Sequence, residues 1–125
     1  MKRILVVDDE PAIRSFIRSA LEQAGHAVLE AADGPSALDQ ARAAKPDAIL
    51  LDVALPALSG LEVCRRLKED PGTAATPVIL LTGLPQPEGP PAQAEGWLIK
   101  PFTPAAVAQE VERALHGPQA SVRGR

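Results

Sequence analysis

Leu50-Leu51-Asp52-Val53-Ala54-Leu55-Pro56 decides the fold: an aliphatic run ends abruptly in a carboxylate and then in a proline-marked loop. With Ala48-Ile49 ahead of it, the run has the length and apolar character of a strand covered on both faces, as in a parallel sheet between helices. Its last residue, Asp52, then emerges at the carboxyl edge of the sheet, where open α/β sheets bind ligands. A carboxylate just after a strand is commonly an ordinary loop or N-cap residue. Asp52 therefore takes its meaning from its company.

Ile4-Leu5-Val6-Val7 is a second run of the same kind, and it ends in Asp8-Asp9-Glu10. In the doubly wound order 2-1-3-4-5 this strand lies beside the one ending at Asp52, so neighbouring strand ends aim several carboxylates into one crevice. Two unit charges about 4 Å apart at an effective dielectric near 20 repel by roughly 4 kcal/mol. Such a cluster calls for a cation or for raised pKa values. Mg²⁺ suits it, because that ion takes oxygen ligands, keeps waters and is commonly held by one or two carboxylates plus phosphate oxygens.

Outward from these two strands, residues 11–24 place Ile13, Phe16, Ile17, Ala20, Leu21 and Ala24 on one helical face, with Gly25 as the stop. Residues 27–31 read as a short strand. Asp33-Gly34-Pro35 then opens a helix with Ala37, Leu38 and Ala41 inward, and Lys45-Pro46-Asp47 ends it. After the turn-rich 55–60 loop, Leu61, Cys64 and Leu67 mark the face of a third helix, ending near Asp70-Pro71-Gly72. Pro77-Val78-Ile79-Leu80-Leu81 is the next strand and delivers Thr82 to the same edge, where a hydroxyl can donate a hydrogen bond to a phosphoryl oxygen. Without the acids, Thr82 would be read as a β-former or cap. Trp97-Leu98-Ile99 is the fifth strand, and Thr103-Pro104 starts a last helix with Val107, Val111, Ala114 and Leu115 on its core face; Gly117-Pro118 is its expected end. His26 reads as a turn histidine, and His116 as one that caps the last helix.

At this point the chain resembles the receiver domains of bacterial two-component response regulators. The resemblance rests on Val6-Val7-Asp8-Asp9-Glu10-Pro11, on Leu51-Asp52 with Pro56 and Gly60 behind it, on Leu81-Thr82-Gly83 and on Lys100-Pro101-Phe102, in the family's order and nearly its spacing. It implies an α/β, flavodoxin-like fold: a doubly wound five-stranded parallel sheet. It also implies that Asp52 takes a phosphoryl group from a phosphohistidine on a kinase or phosphotransfer protein. Mg²⁺ would then be held by Asp9, Asp52 and the backbone carbonyl of Ala54, with Asp8 acting mainly through water. Lys100 would pair with the phosphoryl group across a cis Lys100–Pro101 bond, and Thr82 would signal through Trp97, which otherwise reads as a packing residue at the sheet edge. Where family members carry a fourth helix, this chain has Pro85, Pro87, Pro90 and Pro91. The helix is expected to be shortened or lost, leaving an irregular loop or a stub at 92–95. Family partners and dimer mates commonly use the face bordered by that helix. A downstream target or output domain, and a phosphorylation-dependent homodimer, are the implied outputs.

The 125 residues fit one domain over 1–118, with 119–125 as a disordered tail. A net charge of −3 leaves no footprint for direct nucleic-acid binding, and no apolar run approaches a membrane span or a signal peptide. A cytoplasmic location is expected. Cys64, the lone cysteine, falls on a buried helical position. Three functions fit: a phosphorylatable receiver, in which slow self-dephosphorylation is incidental and which is not an enzyme; a phosphatase of the haloacid dehalogenase kind; and a pseudo-receiver that binds a partner without phosphorylation. The second wants another Asp two residues after Asp52, where Ala54 stands.

Overall fold

The computed structural model describes residues 2–83 and 94–123. In chain order these form β1 (Arg3–Val7), α1 (Pro11–Gln23), β2 (Ala27–Ala31), α2 (Gly34–Ala44), β3 (Ala48–Asp52), α3 (Gly60–Glu69), β4 (Val78–Thr82), β5 (Gly96–Ile99) and α4 (Pro104–Arg123). The strands make one parallel sheet in the order β2-β1-β3-β4-β5, so the two acid-tipped strands are neighbours, as expected. β3, at the centre, is buried along its whole length.

Alternation along each strand splits the core in two. Ile4, Val6, Leu50, Ile79 and Leu81 meet Ile17 and Leu21 of α1 and Val107 and Val111 of α4 on one face. Leu5, Val7, Ile49, Leu51 and Leu80 meet Ala37, Leu38 and Ala41 of α2 and Val63, Cys64 and Leu67 of α3 on the other. Each fully buried Val, Leu or Ile among them is worth about 1.5–3 kcal/mol relative to exposure, so the two layers hold the strand ends in fixed register.

Helix boundaries follow local chemistry. α1 ends where Gly25 takes φ +93°, a left-handed value that suits glycine. Asp33 caps α2 by accepting from the Ser36 N–H at 2.8 Å, and Ser59 caps α3 by accepting from the Glu62 N–H at 3.2 Å. His26 lies half-buried in the α1–β2 turn, its N–H donating to the Leu21 carbonyl.

Several expectations need correction. Leu61 is 38 % exposed, and the inward stripe of α3 is Gly60, Val63, Cys64 and Leu67. That is the i, i+3, i+4, i+7 series, whose first member has no side chain and so is invisible as an apolar position. Phe16 is also 38 % exposed, lying against Phe102 with ring centroids 6.0 Å apart. The last helix continues through Gly117-Pro118 to Arg123, since a proline removes one backbone donor without necessarily ending a helix. His116 therefore caps nothing: it pairs with Glu112 one turn back at 2.7 Å. The expected loss of a fourth helix falls largely on residues 84–93, outside the described residues. Beyond them, Ala94 and Glu95 are not helical, and the Glu95 N–H joins the Val78 carbonyl at 2.9 Å.

Candidate functional site

The register Val7↔Leu51 carries β1 and β3 side by side to their carboxyl ends, so the next residues, Asp8 and Asp52, face one another. Oxygens of Asp8, Asp9 and Asp52 lie within 4.8 Å of each other, with Asp8 and Asp52 buried and Asp9 exposed. Lys100, at the end of β5, brings its Nζ to 3.3 Å from Asp8 Oδ2 and 3.3 Å from Asp52 Oδ2. The Lys100–Pro101 bond is cis, as expected.

Each acid has a main-chain donor on its other oxygen. The Glu10 N–H donates to Asp8 Oδ1 at 2.9 Å and the Ala54 N–H donates to Asp52 Oδ1 at 3.0 Å. Asp8 and Asp52 are thus held with one oxygen fixed by the backbone and the other on the ammonium. Burial pushes the Asp8 carboxyl above its usual range and the Asp52 charge adds to this, against the opposing pull of the Glu10 N–H and Lys100. For Lys100, burial works against the charge, but the Asp52 and Asp8 carboxylates outweigh it and raise the pKa.

The loop behind Asp52 is built to keep this geometry. Ala57 adopts φ +67°, uncommon for a residue with a side chain. Gly60 packs onto the strand end: a Cβ there would fall 2.8 Å from Val53 Cα and closer still to the Asp52 carbonyl oxygen. The Gly60 N–H also donates to the Val53 carbonyl at 2.9 Å. Only a residue without a Cβ lets α3 start this close to the acid.

The structure therefore brings together Asp8, Asp9, Asp52 and Lys100, with Ala54 attached through its N–H. Thr82 ends β4 one residue past Leu81, the register partner of Asp52, and its carbonyl accepts from the Lys100 N–H at 2.7 Å. Trp97 is opposite Leu80, so it lies on the same sheet face as Thr82 but two residues deeper, half-buried against the α2/α3 core and away from the acids. Beside Lys100, an open apolar hollow of about 260 Å³ is lined by Ile13, Phe16, Lys100, Pro101 and Phe102. On the β5–α4 side, a hollow of about 420 Å³ is lined by Glu95, Gly96, Trp97, Glu110 and Arg113.

Two contributions are not legible in the sequence. Gly60 carries part of the family resemblance and ends a turn-rich loop, but nothing in its neighbours tells of the Asp52 and Val53 backbone packed against it. Arg14 donates through Nη1 to the Asp8 carbonyl at 2.6 Å and through Nε to Glu30 at 2.9 Å. A basic residue six positions after an acid at a strand end is its faint signal.

Fold and acid pocket together define a doubly wound α/β module with a carboxylate cluster and a lysine at the carboxyl edge of its sheet, and comparison with known proteins gives its family. The profile of the response regulator receiver domain matches residues 4–112, and the chain belongs to that family. Its members are in general phosphoacceptor switches of two-component systems and not catalytic enzymes, and they interact with histidine kinases and output domains. The chain is 39 % identical over 118 residues to the alkaline phosphatase synthesis transcriptional regulatory protein PhoP of Bacillus subtilis, covering 91 % of this chain and 48 % of that one. It is 36 % identical over 121 residues to protein PilH of Pseudomonas aeruginosa, covering 94 % and 100 %. The chain spans about half the length of several of the curated relatives it matches, PhoP among them. Among solved structures, the chemotaxis response regulator CheY4 of Vibrio cholerae superposes with a TM-score of 0.85 at 36 % identity, covering 90 % of this chain and 98 % of that one. The receiver domain of a sensor histidine kinase from Pseudomonas aeruginosa PAO1, described with a magnesium ion in its active-site cleft, superposes with a TM-score of 0.85 at 29 % identity, covering 93 % and 98 %. Among the described residues, no helix is long and apolar enough to cross a membrane.

Proposed function

We propose that this chain is a phosphoacceptor receiver in which Asp52 accepts a phosphoryl group from a phosphohistidine on a histidine kinase or phosphotransfer protein. The observation that carries the reading is the Lys100 ammonium, equidistant from the Asp8 and Asp52 carboxylates beside a third acid at the strand ends. In the step, an Asp52 carboxylate oxygen attacks phosphorus, the P–N bond breaks, and the imidazole leaves and takes up a proton; an acyl phosphate remains. Such transfer is mostly positioning and charge neutralisation. The Ala54 N–H fixes Asp52 for attack through Oδ1, leaving Oδ2 to face the incoming group. Lys100 can follow the charge from the carboxylate to the phosphoryl oxygens, and the Thr82 hydroxyl can donate to one of them.

The pocket's donor set is all oxygen, the chemistry of a hard divalent ion. Asp9, Asp52 and the Ala54 carbonyl would hold Mg²⁺, with Asp8 acting mainly through water, and the ion would supply positive charge to the phosphoryl oxygens. Because Asp8 is fully buried and Asp9 is exposed, the first suits an outer supporting role and the second direct access.

The apolar hollow beside Lys100 supports a protein phosphodonor, since exposed Phe16 with Phe102 offers area that a small molecule would not use. Output runs from Thr82 to Trp97 on their shared face. From there it reaches the β5–α4 surface, where a downstream target, an output domain or a second phosphorylated copy would read it.

The test is incubation with Mg²⁺ and acetyl phosphate, followed by a search for a base-labile adduct and for a change in Trp97 fluorescence. An adduct in the wild type that is absent in Asp52→Asn supports the receiver. Multiple turnover of phosphate esters would instead mark an enzyme, and no adduct under any condition would mark a phosphorylation-independent binding module.

A further inference from the structure

On its β2–α1 side the acid pocket is backed by a chain of charges that the phosphoacceptor role does not explain. Arg14 sits on the second turn of α1, and its guanidinium leaves the helix surface to reach back to the β1–α1 turn. There Nη1 donates to the Asp8 main-chain carbonyl at 2.6 Å, while Nε donates to Glu30 Oε1 at 2.9 Å. Glu30 stands on β2 opposite Val6, on the sheet face covered by α1. It is held further by Arg18, which in turn pairs with Glu22 at 3.0 Å. The Gln40 amide donates to the Glu30 carbonyl at 2.7 Å.

This is more than a surface ion pair. The Arg14 and Glu30 side chains are 18 % and 28 % exposed, so both give up much of their hydration to meet. The Asp8 carbonyl belongs to the peptide plane that joins Asp8 to Asp9. Turning that plane turns the two acids relative to one another. The Asp8 N–H is tied to Ala31 at 3.2 Å and its side chain to the Glu10 N–H at 2.9 Å, so the Arg14 bond to the carbonyl completes the fixing of this residue. A planar guanidinium suits the task, because its separate N–H groups can bind an anchor and a target in one rigid geometry.

We infer that Arg14 is a positioning residue for the acid pocket: anchored by Glu30, it sets the Asp8–Asp9 peptide so that the two carboxylates present a preformed divalent-cation site. The inference rests on the acid pocket being such a site, as proposed above. Residues that orient metal ligands typically change metal affinity 10- to 100-fold when removed.

The test is Mn²⁺ titration of the whole chain, read by electron paramagnetic resonance of the free ion, with no phosphodonor present. Arg14→Met is expected to weaken Mn²⁺ binding by about 10-fold, Arg14→Lys to recover part of this, and Glu30→Gln to fall between. Arg18→Met also strips a cation from Glu30 but leaves the Asp8 carbonyl bond, and it is expected to bind Mn²⁺ as the wild type does. In Arg14→Met, the rate of phosphorylation by acetyl phosphate should return to nearly the wild-type value at saturating Mg²⁺, because the nucleophile is untouched. Equal Mn²⁺ affinity in Arg14→Met and wild type, or an equal loss in Arg18→Met, overturns the inference. Should Arg14→Met fail to fold, Arg14→Lys and Glu30→Gln decide it, and wild-type affinity in both overturns it. If instead the wild type takes up no Mn²⁺, or Asp9→Asn binds as well as wild type, the acid-pocket reading fails first and the inference with it.

Discussion

Replacing Asp8 by Asn is expected to stabilise the metal-free protein. Asp8 is fully buried, with Asp52 and Asp9 oxygens within 4.8 Å and the Lys100 ammonium at 3.3 Å. At an effective dielectric near 20, Asp52 opposes the Asp8 charge by about 3.5 kcal/mol and Lys100 returns about 5 kcal/mol. Asp9 adds a repulsion weakened by its exposure, so the charges nearly cancel, and the dehydration of a buried carboxylate then tips the balance against ionised Asp8. Asn keeps the oxygen that accepts from the Glu10 N–H and drops the charge; its amide nitrogen takes the place of the oxygen that accepted from Lys100 and can donate to the Asp52 carboxylate, which keeps the Lys100 pairing. A gain of about 2 kcal/mol follows, which for a chain of this size is a rise in Tm of roughly 6–10 °C.

The pH dependence has a definite sign. The folded-state pKa of Asp8 is raised above the ordinary 3.8, so the folded protein binds that proton more tightly than the unfolded chain does. The penalty is absent well below 3.8, grows as pH rises through the raised value and is complete above it. The advantage of Asp8→Asn should therefore be full at neutral pH and should shrink as the solution is acidified. Thermal unfolding followed by circular dichroism, in EDTA and across this pH range, measures it. In millimolar Mg²⁺ the advantage should narrow, because the wild type gains more from the ion than the variant does. A lower Tm for Asp8→Asn than for wild type in EDTA at neutral pH would refute the reasoning, since the Lys100 pairing would then outweigh repulsion and dehydration together.

Gly60→Ala forces a Cβ onto the Asp52 and Val53 backbone, and overpacking of this kind costs about 1–3 kcal/mol; a loss in Tm together with slower Asp52 phosphorylation is expected, and an unchanged melting curve would contradict it. Lys68→Met removes the ammonium that joins the Ala74 and Thr76 carbonyls and Glu95 Oε2, leaving Glu95 on the Val78 N–H alone. Breaking a buried pair costs about 3–5 kcal/mol, and with Glu95 one-third exposed the cost here should be nearer 2 kcal/mol, readable by urea unfolding. Cys64 is buried, and its thiol is pushed up to about 11, so the native protein at pH 8 should resist a thiol reagent that labels it fully in denaturant.

What the sequence determined by itself was the arrangement of strands and the gathering of acids at one edge of the sheet. β1 and β3 are continuous aliphatic runs with acids at their tips, and a parallel sheet leaves such tips nowhere to go but its carboxyl edge. Local periodicity therefore placed Asp8, Asp9, Asp52 and Thr82 at strand ends, the family resemblance added Lys100, and the fold draws Asp8, Asp9, Asp52 and Lys100 together. The tertiary structure decided what depends on contact between distant segments. Gly60 is demanded by a backbone eight residues earlier in the chain, Arg14 reaches both Asp8 and a strand-edge Glu30, and Lys68 meets Glu95 across 27 residues. Leu61 faces outward because the stripe of α3 begins on a glycine, and the last helix runs through Pro118 where local rules would stop it. Periodicity and caps are properties of neighbouring residues and can be read in one dimension. Close approach, charge pairing and burial are properties of space, and only the folded chain sets them.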